Sequence, residues 1–254
     1  AILQQLRNGG GVFTHLSFVH HETTAGVTNP LEALCRAAKA EFPSVGLLVD
    51  SMSGFGALDL QMSWGIDFAV SSANKCIEGV PGFSYTLCSL EALKRTEGNA
   101  RSLSLDLYDQ WNHMEATGQF RYTPPTHAVL AFKQALVEWE EEGGVSGRAA
   151  RYQANYKVMK KEMEAIGFEF YVPEACRSFL ICTFRTPEHP NFCFQTFYDL
   201  LAEMGYCIYP GKISKGSAFR IGLIGRLFPK DCHGLIAAVK AVCARMDVPL
   251  PLQK

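Results

Sequence analysis

The sequence has no excess of either charge, because 24 Lys and Arg residues stand against 25 Asp and Glu residues, a formal net charge of −1. A general nucleic-acid binder needs clustered positive charge to displace counterions, and this composition does not supply it. No apolar run approaches the ~18 residues that a membrane helix needs, and no charged-then-apolar leader opens the sequence. We therefore expect a soluble globular protein in the cytoplasm, with no nucleic-acid or membrane partner.

The nine cysteines lack a pattern, since none forms a C-x-x-C pair and their number is odd. A zinc ribbon or a disulfide framework is therefore disfavoured, and free thiols in a reducing compartment are expected. The one group that looks like metal ligands is His20, His21 and Glu22. Adjacent residues of a strand point to opposite faces, and no H-E-x-x-H pattern follows, so we expect no metal site.

The first half of the chain alternates apolar β-type runs with a helical pattern. Runs rich in apolar residues cover 16–19, 45–49 and 66–70, and Asn29-Pro30 is a favourable helix start. Continuous apolar strands are typical of a parallel sheet that is buried on both faces. This order predicts an α/β domain with a mostly parallel sheet.

The character changes near residue 126. Two helical patterns, 127–142 and 148–166, flank the breaker Gly143-Gly144, and a mixture of strands and helices follows, beginning with a strand at 168–172. This mixture predicts a smaller α+β domain. We place the boundary near residue 146, which gives domains 1–146 and 147–254.

Asp50 and Lys75 are the most informative polar residues. Each lies at the end of an apolar β run among small residues, and ligands of parallel sheets bind outside the carboxyl ends of the strands. A lysine can form a Schiff base with pyridoxal phosphate, while a carboxylate can keep its pyridinium nitrogen protonated. An ordinary salt bridge at a strand end would explain the same two residues, and the spacing alone leaves both interpretations open.

The amino-acid sequence of seven segments, here called blocks, closely resembles that of the 2-aminoethylphosphonate:pyruvate aminotransferases of the class V family, in the same order along the chain. The lysine block, SSANKCIEGVPGF at 71–83, carries the resemblance most specifically. The other blocks are HETTAGVTNP at 21–30, VDSMSGFG at 49–56, RSLSLDLY at 101–108, YTPPTH at 122–127, YPGK at 209–212 and FRIGLIG at 219–225. The blocks span nearly the whole chain.

The resemblance implies the aspartate-aminotransferase-like fold of pyridoxal-phosphate-dependent transferases, with a large domain and a smaller C-terminal one. It implies that Lys75 forms the Schiff base and that Asp50 pairs with the pyridine nitrogen. Thr23 would lie against the cofactor ring, and Asn74 would help to shape the cofactor site. Pyridoxal 5'-phosphate is the expected cofactor.

The resemblance also implies a partner and a substrate contact. Thr123 matches a position that reaches the cofactor phosphate of the neighbouring subunit, which makes a homodimer part of the active site. Arg220 matches the arginine that binds the acidic group of the substrate, and its planar fork of donors suits a carboxylate or a phosphonate.

The implied reaction moves the amino group of 2-aminoethylphosphonate to pyruvate and gives phosphonoacetaldehyde and alanine. An alanine:glyoxylate or serine:pyruvate aminotransferase of the same class is the alternative enzyme. A truncated, non-catalytic binding subunit is the alternative from another class of function. It is suggested by one departure from the family, because no part of this sequence matches the family's N-terminal glycine-rich phosphate loop. From that departure we expect a fragment or a short form that is poorly soluble alone, binds the cofactor weakly and turns over little substrate.

Overall fold

A computed structural model describes residues 1–211 and 216–253. The chain divides into two compact units, residues 1–20 with 30–141 and residues 21–29 with 142–254. Lys212, which belongs to one of the family-like blocks, lies outside the described residues. The predicted domains 1–146 and 147–254 remain a proposal.

The described residues form eight α-helices and nine strands. The helices are α1 Ile2–Asn8, α2 Leu31–Glu41, α3 Leu90–Lys94, α4 Leu107–Thr117, α5 Thr126–Glu141, α6 Gly144–Ala165, α7 Phe194–Glu203 and α8 Pro229–Arg245. The strands are β1 His15–Val19, β2 His21–Glu22, β3 Val27–Thr28, β4 Gly46–Asp50, β5 Phe68–Ser72, β6 Ser84–Cys88, β7 Ile181–Arg185, β8 Tyr209–Pro210 and β9 Ala218–Gly222. In this part of the chain no helix is both long and apolar enough to cross a membrane.

The first unit is built on a four-stranded sheet in the order β1-β4-β5-β6. Strands β1, β4 and β5 are parallel, and β6 pairs antiparallel with β5. The predicted mostly parallel sheet is confirmed. Alternate residues of β4, Leu47 and Val49, pack in one core with Leu31 and Cys35 of α2 and with Trp64, because successive side chains of a strand point to opposite faces.

Strand β5 begins two residues later than its apolar run. Asp67 directly precedes the strand, and its carboxylate accepts hydrogen bonds from Leu47 N and Lys39 Nζ, both at 2.8 Å, while its backbone N donates to Leu47 O at 3.0 Å. The paired carboxylate thus anchors the start of β5 beside β4. The register then pairs Val19 with Asp50 and Asp50 with Val70, so the three parallel strands end at one edge.

The second unit contains an antiparallel sheet in the order β7-β9-β8 and a short hairpin of β2 and β3. Phe168, Phe184, Phe197 and Phe219 form the aromatic centre of its core, against which α7 and α8 pack. The strand predicted at 168–172 is wrong as a full strand, because the segment pairs with β7 only around a single bridge of Phe170 with Phe184, which two backbone hydrogen bonds flank. Phe168, before this bridge, packs in the core.

Helix α6 begins at Gly144, four residues before the predicted start at 148. Arg148 is buried on the first turn, and its Nε donates to Glu142 at 2.7 Å. Arg151, one turn further on, donates to the same carboxylate at 2.6 Å. The two arginines lower the pKa of Glu142, mainly through the hydrogen bond from Arg151. The pairing stabilises the helix start where the sequence pattern indicates a loop.

Candidate active site

Asp50 lies at the carboxyl edge of the parallel sheet with an exposed side chain. Its Oδ1 accepts a hydrogen bond from Met52 N at 2.9 Å, and its backbone carbonyl accepts one from His20 N at 2.8 Å. The backbone on both sides therefore fixes the direction of the carboxylate. No donor reaches Oδ2 from residues 1–211 or 216–253, so this oxygen is available to a ligand.

Lys75 follows the end of β5, the neighbouring parallel strand, and its side chain is exposed. A tight turn presents it, in which Gly79 N donates to Ala73 O at 2.8 Å and Glu78 N donates to Lys75 O at 2.9 Å. A Cβ at position 79 would lie 2.8 Å from Ala73 O, so this close approach requires glycine.

Asp50 and Lys75 do not form the salt bridge that the spacing left open. Neither side chain has an ion pair within the described ranges of the chain. Two oppositely charged groups at neighbouring strand ends are thus left unneutralised by the protein, an arrangement that is typical of a ligand site.

A layer of buried polar groups supports this edge of the sheet. His20 Nδ1 shares a hydrogen bond with Ser51 Oγ at 3.0 Å, and Ser71 Oγ donates to Ser51 O at 3.1 Å. Cys76 Sγ donates to Ser53 O at 3.2 Å. These bonds tie the segment after β4 to His20 after β1, to Ser71 within β5 and to Cys76 after β5, and so fix the backbones that carry Asp50 and Lys75.

Sequence reasoning missed this layer because it considered His20 only as a metal ligand. The available signal was the set of small polar residues directly after each apolar run, since such side chains can bond to neighbouring backbone. In the described ranges no group of three His, Cys, Asp or Glu residues is placed to hold a metal ion.

The burial of His20 predicts a pH dependence of folding stability. Burial lowers the pKa of His20 from 6.5 to about 4, while the charge of Asp59 opposes the shift. Between pH 6.5 and about 4, His20 is therefore protonated in the unfolded chain but neutral in the folded chain. The contribution of neutral His20 to the free energy of unfolding is complete above pH 6.5. It is lost as the pH falls towards 4, and the total loss is about 3 kcal/mol.

Urea unfolding at pH 7.5, 5.5 and 4 measures this effect. Wild type should lose about 3 kcal/mol more between the highest and lowest pH than His20→Gln does. His113→Gln, a change on helix α4, which has no buried residues, should keep the wild-type dependence of the free energy of unfolding on pH. Identical slopes for wild type and His20→Gln would show that His20 does not resist protonation.

The second unit brings together two further predicted residues, Thr23 and Arg220. Arg220 Nη1 donates to Thr23 O at 2.8 Å, and Arg220 Nε donates to Pro210 O at 3.0 Å. Both acceptors are backbone carbonyls, so neither neutralises the guanidinium. Within the described residues no acceptor lies at Nη2, and this edge of the fork remains available to an acid.

The other two predicted residues lie in the first unit. Asn74 directly precedes Lys75 and is partly buried. Thr123 is exposed and stands before Pro124-Pro125, which lead into α5. No described residue of the same chain is seen to hydrogen bond to either side chain.

The family of the chain follows from a comparison with protein-family models. The model described as "Aminotransferase class-V" matches residues 12–221. The chain therefore belongs to the class V aminotransferase family, and the predicted resemblance is confirmed.

Three similar curated proteins share the name 2-aminoethylphosphonate–pyruvate transaminase. The chain is 47% identical to that of Vibrio vulnificus (strain YJ016) over 89% of its own length and 62% of the relative's. It is 48% identical to that of Syntrophobacter fumaroxidans over 89% and 61%, and 48% identical to that of Bacteroides fragilis over 89% and 62%. The chain thus spans less than two thirds of the length of these relatives.

Solved structures of aminotransferases share the fold. A pyridoxamine-pyruvate aminotransferase from Mesorhizobium loti matches with a TM-score of 0.87 at 22% identity, over 98% of this chain and 64% of that one. A ureidoglycine-glyoxylate aminotransferase from Bacillus subtilis matches with a TM-score of 0.86 at 19% identity, over the same shares. At such low identities these matches show only that the fold is shared. The predicted fold class is confirmed.

Proposed function

We propose that this chain is the larger part of a transaminase that moves the amino group of 2-aminoethylphosphonate to pyruvate. The observation that carries the proposal is the pair Asp50 and Lys75, which are charged, exposed and unpaired at neighbouring ends of parallel strands. We take the two substrates from the names of relatives that are 45–48% identical to this chain.

The residues at the sheet edge fit pyridoxal phosphate. Asp50 Oδ2 is available for the ring nitrogen, and Lys75 Nζ has no partner among the described residues to displace. The buried Ser72 Oγ, three residues before Lys75, also lacks a partner within those ranges, which suits an acceptor-rich ligand. When bound, the cofactor supplies an electron-withdrawing ring that acidifies the carbon next to the substrate nitrogen.

Lys75 would hold the cofactor covalently, and its amine, once the substrate amine has displaced it, would move the proton. Its Nζ can take a proton from the substrate carbon and return it to the neighbouring atom, since an amine beside the reacting carbon is a suitable general base. The negative charge of Asp50 would keep the pyridine nitrogen protonated, and the hydrogen bond from Met52 N holds the carboxylate in one direction. Thr23 and Asn74 would line the cofactor.

Thr123 and Arg220 complete the proposal. Thr123 would reach the cofactor phosphate of a neighbouring subunit, so the active enzyme is a homodimer. Arg220 would bind the acid group of either substrate through the unused Nη2 edge. The nine free cysteines support a reducing compartment and hence a cytoplasmic location.

Arg220→Lys keeps the positive charge but loses the planar fork of donors. We expect the KM for both 2-aminoethylphosphonate and pyruvate to rise by about 10- to 100-fold, with the cofactor absorbance unchanged. Steady-state kinetics with each substrate varied in turn measure the change. Arg245→Lys, at an exposed pair with Glu203, is the matched control. Loss of cofactor absorbance in Arg220→Lys would move Arg220 out of the substrate site.

Product analysis tests the proposed reaction itself. The protein with pyridoxal phosphate, 2-aminoethylphosphonate and pyruvate should form alanine and phosphonoacetaldehyde in equal amounts. Faster amino transfer from alanine to glyoxylate, or from serine to pyruvate, would favour the alternative class V enzymes. No transfer with any pair would favour the non-catalytic subunit, which the enzyme names of the relatives disfavour.

A further inference from the structure

One face of the three-stranded sheet of the second unit carries Arg220. The register pairs Thr183 of β7 with Arg220, and Arg220 with Tyr209 of β8. Residues directly opposite each other in an antiparallel pair project to the same side, so these three side chains share a face. The neighbouring residues Cys182 and Phe219 belong to the buried core on the other side.

The hairpin of β2 and β3 covers the face that carries Arg220. Ser178 N donates to Gly26 O at 2.9 Å, and Val27 forms a bridge with Arg177. Gly26 has φ +78°, and a Cβ there would lie 2.9 Å from Ile181 O and 3.2 Å from Thr183 Oγ1. Only glycine permits this conformation at so short a distance, and the hairpin is therefore seated directly on β7.

Glu22 closes the turn of this hairpin. Its Oε1 accepts hydrogen bonds from Thr24 N at 2.9 Å and from Thr24 Oγ1 at 2.5 Å, while its backbone carbonyl accepts one from Gly26 N at 2.8 Å. The pKa of Glu22 is lowered chiefly by the hydrogen bond from the Thr24 hydroxyl, with a smaller contribution from the charge of Arg220. Glu22 is therefore ionised at neutral pH.

Thr23 lies between Glu22 and Thr24, which the hydrogen bonds to the Glu22 carboxylate link. Its carbonyl is the acceptor for Arg220 Nη1 at 2.8 Å, while Pro210 O holds Nε. Two fixed acceptors from different segments define the plane of a guanidinium. A fixed plane matters because bidentate recognition of an acid depends on the direction of both N–H bonds.

We propose that Glu22 is a positioning residue for substrate binding, which closes the 22–26 turn so that the Thr23 carbonyl holds the guanidinium of Arg220 in the plane that an incoming acid group requires. This inference rests on the proposed function only in assigning Arg220 to the substrate acid. Glu22 touches no substrate itself and acts through Thr23 and Arg220.

Three variants test the role. Glu22→Ala should raise the KM for both acids about tenfold with kcat within about twofold, because it removes both hydrogen bonds to a charged acceptor. Glu22→Gln should raise the KM about threefold, since its oxygen can still accept from Thr24. Glu203→Gln, an exposed carboxylate of the same unit, should change neither constant.

A double-mutant cycle separates action through Arg220 from general damage. In an Arg220→Lys background, Glu22→Ala should add little to the KM, because the fork that Glu22 positions is already absent. If the KM of the double variant instead rises by the product of the two single fold-increases, the inference is overturned. Glu22→Gln serves as the first member of the cycle if Glu22→Ala does not fold.

A direct measurement needs no turnover. Phenylglyoxal labels arginines, and inorganic phosphate should slow the labelling of Arg220 in wild type, as followed by peptide mass. The phosphate concentration for half-protection should rise about tenfold in Glu22→Ala and about threefold in Glu22→Gln. Equal protection in wild type and variants would overturn the role of Glu22 and leave the proposed function standing. No protection in wild type would instead remove Arg220 from acid binding and overturn the inference, while the proposed function would still rest on Asp50 and Lys75.

Discussion

Lys75→Ala is expected to lower kcat for amino transfer by about four orders of magnitude, with little change in folding stability. Lys75 is exposed and makes no ion pair in the described part of the chain, so its loss leaves no cavity and no unpaired buried charge. With the proposed role of Lys75, the chemistry would lose both the covalent attachment point and the group that moves the proton, and general acid–base catalysis alone is worth about 10²- to 10⁴-fold. Single-turnover kinetics with 2-aminoethylphosphonate measure the loss.

Two comparisons make the Lys75 result specific. Lys94→Ala removes an ammonium that lies over the ring of Trp111 at 5.5 Å, and it should keep wild-type turnover. Added methylamine should restore part of the rate of Lys75→Ala, because a small amine can occupy the vacated space and carry the proton. A Lys75→Ala protein with near-normal kcat would remove Lys75 from the chemistry.

Asp50→Asn should lower kcat by about three orders of magnitude while the protein folds normally. The amide oxygen of asparagine can still accept the hydrogen bond from Met52 N that Oδ1 accepts now. With the proposed role of Asp50, the variant would lose the negative charge that keeps the pyridine nitrogen protonated, an interaction that would strengthen as charge develops in the transition state. Stopped-flow absorbance of the amine half-reaction measures the rate.

The matched control for Asp50 is Asp199→Asn, since Asp199 is a helix residue that accepts a hydrogen bond from Gln195 and lies outside the sheet edge. Its kcat should equal that of wild type. Near-normal turnover of Asp50→Asn would mean that Asp50 serves only to form the turn with Met52.

The part of the fold that the sequence predicted depends on local pattern. The apolar-rich runs at 45–49 and 66–70 correspond to β4 and β5, because the buried strands of a parallel sheet are rich in apolar residues. Asp50 and Lys75 could be selected for the same reason, since a charged residue after such a run must lie at the edge of the sheet. The registers Val19 with Asp50 and Asp50 with Val70 then align the strand ends.

The missed features depend on contacts between distant parts of the chain. Arg220 Nη1 and Thr23 O are 197 residues apart in sequence, and no local pattern indicates that a carbonyl of one segment will hold the side chain of another. His20 and Ser51 are 31 residues apart, and only the parallel register brings them together. The apolar residues of 168–172 predicted a strand because packing in an aromatic core and pairing in a sheet require the same residue types.

The lysine to which pyridoxal phosphate attaches decides whether Lys75 is the cofactor-binding lysine. The protein is incubated with the cofactor, reduced with borohydride, digested with trypsin and mapped by mass spectrometry. Trypsin cuts an unmodified chain into residues 40–75 and 76–94, whereas a modified Lys75 blocks the cut and leaves residues 40–94. The account predicts that the 40–94 peptide carries the reduced cofactor. Cofactor on Lys94 or Lys212, or on no lysine at all, would contradict it.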